Sequence, residues 1–307
     1  MKLATSSNDF IKQTGTIPAA VEMFGRTKFR NINLEMDDPY MTEAEWKRQA
    51  GLFGEAAAKA GITYTTAHAP CLNPFGGDQE KYDYAVQAIR NSIEICGVLG
   101  IPRIVVHAGQ SKAFIHEDFY RENKKFYGEF FDLMEKHGVL VLTENMTDGT
   151  YCPLSTGREL RDFMEYVDHP LLGACWDTAH GNLNTKVKEE GQYASIVAIG
   201  DKLKGLHIAD NFGDGPHHHT WPFAGIVNFD SVMQGLVDVK YDGVFTFEAS
   251  YTLIHHENLP YHRQPWEHNG QTVTKLLDPS VELKRKAVDL MYDVGQYLLE
   301  SYGCFEE

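Results

Sequence analysis

The sequence predicts an α/β protein, a single-domain (β/α)8 TIM barrel spanning residues 1–307, and three observations carry that expectation. Short apolar runs alternate with longer amphipathic ones along the chain, the pattern of parallel strands joined by helical crossovers. Eight such pairs are legible, the number that closes a barrel. Six consecutive runs, the third to the eighth, lead into metal-ligating or proton-moving residues: His68, His107, Glu144, Asp177, His207 and Glu248. Barrels of this kind carry their functional groups at the C-terminal ends of strands.

Each element has its own signal. Residues 2–5 form a first strand and 17–24 a short helical stretch; Phe-Arg-Asn-Ile-Asn-Leu over 29–34 alternates as a second strand. Thr42 and Glu45 form a capping box, after which Trp46, Ala50, Phe53, Ala57 and Ala60 recur at helical spacing until Gly61. Strand three covers 62–66 and leads to His68. The next helix carries Tyr82, Val86, Ile89, Ile93 and Cys96 and stops at Gly100, before Pro102. Strand four, 103–106, leads to His107, and a helix is expected over 119–136. Strand five leads to Glu144, followed by a helix over 156–166; strand six leads to Asp177, followed by a weaker helix over 186–199. Strand seven leads to His207, with a helix over 229–236, and strand eight leads to Glu248. Asp278 and Pro279 open the last helix, to about residue 302, with Pro279 placed in its first turn, where a missing N–H costs nothing.

Composition narrows the function. With 43% apolar and 23% charged residues, the chain has ample material for a core. A formal charge of −15 argues against nucleic-acid or anionic-membrane partners, because neutralising phosphates by Lys and Arg supplies most of that affinity. Cys71, Cys96, Cys152, Cys175 and Cys304 lack C-x-x-C spacing and are odd in number, which fits reduced thiols in a cytoplasmic protein. No apolar run follows the N-terminus, so neither a signal peptide nor a membrane span is expected.

Glu144, Asp177, His207 and Glu248 offer three carboxylates and one imidazole. That hard, oxygen-rich set suits a divalent ion, Mn²⁺ first, with Mg²⁺, Co²⁺ or Zn²⁺ as alternatives. Such an ion polarises a sugar carbonyl and stabilises an enediolate. Glu144 and Glu248, from different strands, are the expected catalytic pair, one removing a proton and the other returning it. His180, three residues after Asp177, is the third catalytic candidate, contacting substrate oxygen or a second ion.

Six pieces carry a family resemblance: Thr-Ala-His68-Ala-Pro, Val-Val-His107-Ala-Gly, Thr-Glu144-Asn, Trp-Asp177-Thr-Ala-His180-Gly-Asn, Gly-Leu-His207-Ile-Ala-Asp210-Asn and Phe-Glu248. In this order the chain resembles the xylose-isomerase-like barrel superfamily, which groups sugar isomerases and epimerases with endonuclease-IV-type enzymes. Similarity to the ketose 3-epimerases implies that Glu144, Asp177, His207 and Glu248 hold one ion and that the two glutamates exchange the proton. Those epimerases place a substrate-binding arginine where Gly213 stands here. Similarity to the endonuclease-IV type implies three zinc ions and phosphodiester cleavage, with His217 standing where that group has aspartate. Glycoside-cleaving relatives and inosose dehydratases imply a lyase outcome, including elimination from a 3-keto-glycoside. A barrel that has lost catalysis and serves as a binding subunit is a further alternative.

Basic residues are scarce near these strand ends; none occurs from Gly205 to Val239. The expected substrate is therefore an unphosphorylated sugar, keto-sugar or glycoside, contacted by His68, His107, Phe212, His217, His219 and Trp221. One segment departs from the family, a long insertion after strand eight at about 251–278 that carries His255, His256, His262, Trp266 and His268. A structureless loop of that length serves as a lid, a binding loop or a contact with a second copy or a small partner subunit.

Overall fold

A computed structural model describes residues 1–214, 219–249, 252–253 and 265–307; His217, His255, His256 and His262 lie outside the described residues. Eight parallel strands are laid side by side: β1 (Leu3–Ser6), β2 (Asn31–Glu35), β3 (Thr63–His68), β4 (Arg103–Val105), β5 (Leu140–Glu144), β6 (Leu172–Asp177), β7 (Leu203–His207) and β8 (Phe245–Phe247). β1 pairs with both β2 and β8. A parallel bridge from Ile208 to Phe247, with Ile208 N donating to Thr246 O at 2.8 Å, joins the ends of β7 and β8 and closes the barrel.

Alternation along these strands divides the interior. Residues on the same parity as the charged strand ends point inward: Val105, Leu142 and Cys175 form a small separate apolar cluster, packed with Leu140. Gly205 leaves room for that plug, since a Cβ there would sit 2.5 Å from Leu142 Cδ1. The other parity packs against the helices in the main core, where Trp176, Phe245 and Phe247 are fully buried. The polar ends of the inward-facing rows thus stand on an apolar floor.

The helices follow their caps. α1 (Ile17–Met23) precedes β2, and α2 (Glu43–Ala60) starts on the Thr42–Glu45 capping box and ends on left-handed Gly61. α3 (Gln79–Leu99) starts on Asp78 and ends on Gly100. The expected single helix over 119–136 is two, α4 (His116–Gly128) and α5 (Phe131–His137). Gly128 weakens the helix there, fully buried Phe130 turns into the core against Phe126, and Arg90 takes the carbonyl of Glu129.

α6 (Gly157–Val167) has a second capping box, Thr156 with Glu159. The expected helix over 186–199 is divided into α8 (Thr185–Glu190) and α9 (Gln192–Ile199) by Gly191, whose φ is 88°. An unexpected α7 (Thr178–Leu183) follows Asp177 directly. α10 (Phe229–Asp238) precedes β8, and α11 (Val281–Ser301) closes the chain. Ser280 caps α11 by accepting from Leu283 N, so Pro279 lies one residue before the cap rather than in the first turn.

The insertion is not structureless throughout. Trp266–His268 (β9) and Gln271–Val273 (β10) form an antiparallel hairpin, turned by Asn269 and Gly270, both at positive φ. No helix among the described residues is long and apolar enough to cross a membrane. All five cysteines are free thiols.

Candidate active site

β5, β6 and β7 end on Glu144, Asp177 and His207, and Glu248 directly follows β8. Parallel register sets Asp177 beside His207 and Glu144 beside Cys175. Neighbouring polar residues lock these ends. Asn145 clamps β5 to β6, accepting from Asp177 N at 2.6 Å and donating to Asp177 O at 3.0 Å. Thr178 Oγ1 donates to Ala209 O at 2.6 Å, tying β6 to β7. Asp210 is a hub: its two carboxylate oxygens accept from the backbone N–H groups of Asn211, Phe223, Gly225 and Val227 at 2.8–3.0 Å. That hub folds the loop after β7 back over the barrel, so that His219 reaches the site. Gly225 is required there, because a Cβ would lie 2.2 Å from Asn211 O.

The ligand-type atoms of Glu144, Asp177, His207 and Glu248 all lie within 4.8 Å of one another. His207 Nδ1 stands 2.7 Å from Glu144 Oε1 and 3.4 Å from Glu248 Oε2. His107 Nε2 lies 2.9 Å from Glu144 Oε2, and His68 Nε2 lies 3.2 Å from His107 Nε2. Asp177, His180 and His219 form a second convergent group, and His68, Cys71 and His107 a third. Backbone carbonyls orient the imidazoles: His68 Nδ1 is 2.7 Å from Ala69 O, and His180 Nδ1 is 2.7 Å from Asn145 O, so each ring donates there and holds its tautomer.

A cavity of about 250 Å³ opens beside them, lined by His68, His107, Glu144, His180, His219 and Glu248 together with Ser6, Asn8, Glu35, Asp37 and Cys71; Asp177 and His207 are buried behind that lining. No lysine or arginine among the described residues lines it. A larger groove of about 600 Å³ lies elsewhere, between α2, α3 and α5, and holds none of the convergent ligand groups.

Electrostatics in the cavity oppose burial. Burial alone would raise the carboxyl of Glu144, yet the imidazoles of His207, His180 and His107 hold it well below the usual range. Glu248 is likewise lowered, against burial, by His207 and His219. The imidazoles are raised in return. Burial pulls His107 and His219 down, but carboxylates beside both and the Cys71 thiol beside His107 bring each up to about 9. Asp177 differs: burial raises it, and its Oδ2 is buried with no hydrogen-bond partner among the described residues. A buried carboxylate oxygen with no partner among the described residues, converging with the imidazoles of His180 and His219, fits a divalent cation, which would supply the missing counter-charge.

Placement of the remaining expected residues is mixed. His68, His107, His180 and His219 line the cavity. Trp221 is partly buried and packs on the core, and Phe212 is 44% exposed; neither is in the described lining. Five lining residues were not among those expected: Ser6 at the end of β1 and Asn8 just beyond it, Glu35 at the end of β2 and Asp37 just beyond it, and Cys71 after β3. For Ser6 and Glu35 the signal was the one used elsewhere, a polar residue at a strand end, but the alternation over 29–34 stops one residue short of Glu35.

A family model described as the xylose isomerase-like TIM barrel matches residues 19–268, and the chain belongs to that family. It is 28% identical over 177 residues to a probable endonuclease 4 of Methanoculleus marisnigri, across 54% of this chain and 62% of that one. It is also 28% identical over 127 residues to a ketose 3-epimerase of Arthrobacter globiformis, across 41% of this chain and 40% of that one. The chain thus spans less than two thirds of the length of either relative. Its fold is similar to that of D-psicose 3-epimerase from Clostridium cellulolyticum H10, with a TM-score of 0.73 and 16% identity over 97% of this chain and 99% of that one.

Proposed function

We propose that this chain is a divalent-metal-dependent isomerase or epimerase acting on an unphosphorylated sugar or keto-sugar. The observation that carries the reading is the convergence of Glu144, Asp177, His207 and Glu248, of which the two glutamates line a cavity whose described lining has no basic side chain except histidine. The four residues hold the ion; its oxygen-rich set favours Mn²⁺ or a similar hard cation. When bound, the ion polarises a carbonyl with its neighbouring hydroxyl and offsets the negative charge left by proton removal.

This chain's own groups do the rest. Glu144 and Glu248 are lowered carboxylates, ionised at neutral pH, as a base must be. One removes the proton from the carbon beside the carbonyl and the other returns it. His180, with its backbone-fixed ring, and His68, His107 and His219 contact substrate oxygens. The test is solvent-deuterium uptake at carbon, screened over neutral ketohexoses with the Mn²⁺-loaded protein. Glu144→Gln and Glu248→Gln, made separately, should each lower exchange by about 10²-fold or more while the circular dichroism spectrum stays unchanged. Full activity in both variants on a sugar that the wild type exchanges would remove the proton-transfer assignment. Elimination from a 3-keto-glycoside begins with the same proton removal, and product analysis separates it from epimerisation.

One observation favours a second reading. Ligand-type groups continue on both sides of the four-residue set, His68 and His107 beside Glu144, and His180 and His219 beside Asp177. Such an array suits a trinuclear zinc phosphodiesterase of the endonuclease 4 type. Glu35 and Asp37 in the lining weigh against a polyanionic substrate.

A further inference from the structure

Lys284, near the start of α11, is fully buried and has no part in the proposed reaction. Stability is a poor account of it. Burial penalises an ammonium group, and the positive end of a helix opposes a cation. A buried ion pair seldom stabilises a fold beyond what an apolar residue of the same size provides. What the side chain does provide is a fixed link between three parts of the chain. Its Nζ donates to Thr252 O at 2.8 Å and to Asp9 Oδ1 at 3.3 Å. Asp9 is anchored in turn, its Oδ2 accepting from Thr5 Oγ1 of β1 at 2.6 Å.

Both anchors lead to Glu248. Thr5 pairs with Phe247, the residue before Glu248. On the other side, Thr252 N donates to Ala249 O at 3.1 Å, a turn that begins on the residue after Glu248. Lys284 therefore completes a ring of contacts, Thr5 to Asp9 to Lys284 to Thr252 to Ala249, which returns through Glu248 and Phe247 to Thr5. The place of this ring matters. Glu248 makes the last backbone bond of the barrel wall here, its N–H donating to Ile208 O at 3.1 Å, and the chain then leaves for the long insertion. Thr252 stands at the start of that insertion and Lys284 just past its end, so one side chain ties both roots to β1. We propose that Lys284 is a positioning residue for Glu248: braced on Asp9, it pins the chain beyond β8 and holds the Glu248 carboxylate in the convergent set. The inference rests on the metal and proton-transfer reading above and adds to it the residue that keeps the insertion from loosening one of its two glutamates.

The experiment compares Lys284→Met, which keeps the stem without the charge, with the double variant Asp9→Asn/Lys284→Met, which also removes the carboxylate charge left alone by the first. Mn²⁺ by itself is the first probe, with Kd for the metal-free full chain read from the paramagnetic resonance of free Mn²⁺. Both variants should bind Mn²⁺ about tenfold more weakly than the wild type, the size expected when a ligand loses its support. Asp9→Asn alone, which leaves Lys284 on Thr252 O, should stay within about threefold of the wild-type Kd. Lys284→Met should lower Tm and the double variant should regain it, because no buried charge is then unpaired. Kd should not recover with Tm, a separation that a purely structural ion pair does not produce. At saturating Mn²⁺ and well below Tm, deuterium exchange into a ketohexose should fall about tenfold in kcat with KM held within about threefold. If Lys284→Met does not fold, the double variant carries the test. A wild-type Kd in the double variant overturns the positioning role and leaves the reading of the site standing. Failure of the wild type to bind Mn²⁺ overturns both.

Discussion

Asp177 is the residue on which the metal reading is most exposed. Its Oδ2 is buried without a partner among the described residues, and burial raises its carboxyl, so a cation would satisfy it. Mn²⁺ at about a hundredfold excess over Kd should stabilise the wild type by ~3 kcal/mol, read as a rise in Tm of roughly 5 °C or more. Asp177→Asn should abolish that rise without lowering the metal-free Tm; an undiminished rise would place the ion elsewhere. Glu35 carries a second prediction at this scale. Its folded pKa is raised from 4.5 to about 7, so the unfolded chain loses this proton first as pH rises. The stability that Glu35 contributes is fully present below pH 4.5 and is lost as pH rises through 7, a loss on the order of 3 kcal/mol. Relative to Glu35→Gln, metal-free wild type should lose stability between about pH 5 and 8 in denaturant titrations; parallel curves would contradict the burial argument. Most of the site was legible at this scale, because strand ends such as Glu144 and Asp177 announce themselves by a polar residue closing an apolar run. Glu35 carries the same signal one residue past the alternating run over 29–34; Asn8 and the orienting Asn145 do not, since each takes its place from contacts that cross strands and have no sequence period.

At the scale of elements, the loop after β7 does the positioning. Four backbone N–H groups converge on the buried Asp210, and the loop they fold carries His219 to Glu248, where Nδ1 lies 3.1 Å from Oε2. Asp210→Ala should cost on the order of 3 kcal/mol and speed hydrogen exchange at Phe223, Gly225 and Val227 while sparing β5 and β6. Exchange unchanged at those three amides would deny Asp210 its organising part. Element reading from sequence succeeded where caps are local, as with Thr42–Glu45 and Gly61. It failed where tertiary packing broke a continuous helical pattern, at Phe130, whose ring is buried, and at Gly191. The Asn269–Gly270 turn was readable in advance, but the absence of alternating apolar flanks concealed a hairpin whose residues are all exposed.

The whole molecule sets the field in which the site works. A formal charge of −15 and a cavity with no described basic lining except histidine disfavour a polyanion both at long range and at contact. The protein should neither retard an abasic DNA duplex in gel-shift experiments at about 0.15 M salt nor incise it with Mn²⁺ or Zn²⁺ present. The barrel itself was readable because eight alternating units leave few other architectures, and the closing bridge at Ile208 follows from that count. The insertion's role was not readable, since nothing in its residues fixes what it meets. Metal content of the purified chain, measured by plasma mass spectrometry after exposure to Mn²⁺ and Zn²⁺ together, tests the central claim most directly. The account predicts one tightly held ion per chain, lost in Asp177→Asn, with Mn²⁺ restoring deuterium exchange to chelator-treated protein. Three zinc ions per chain, or no retained metal at all, would contradict it.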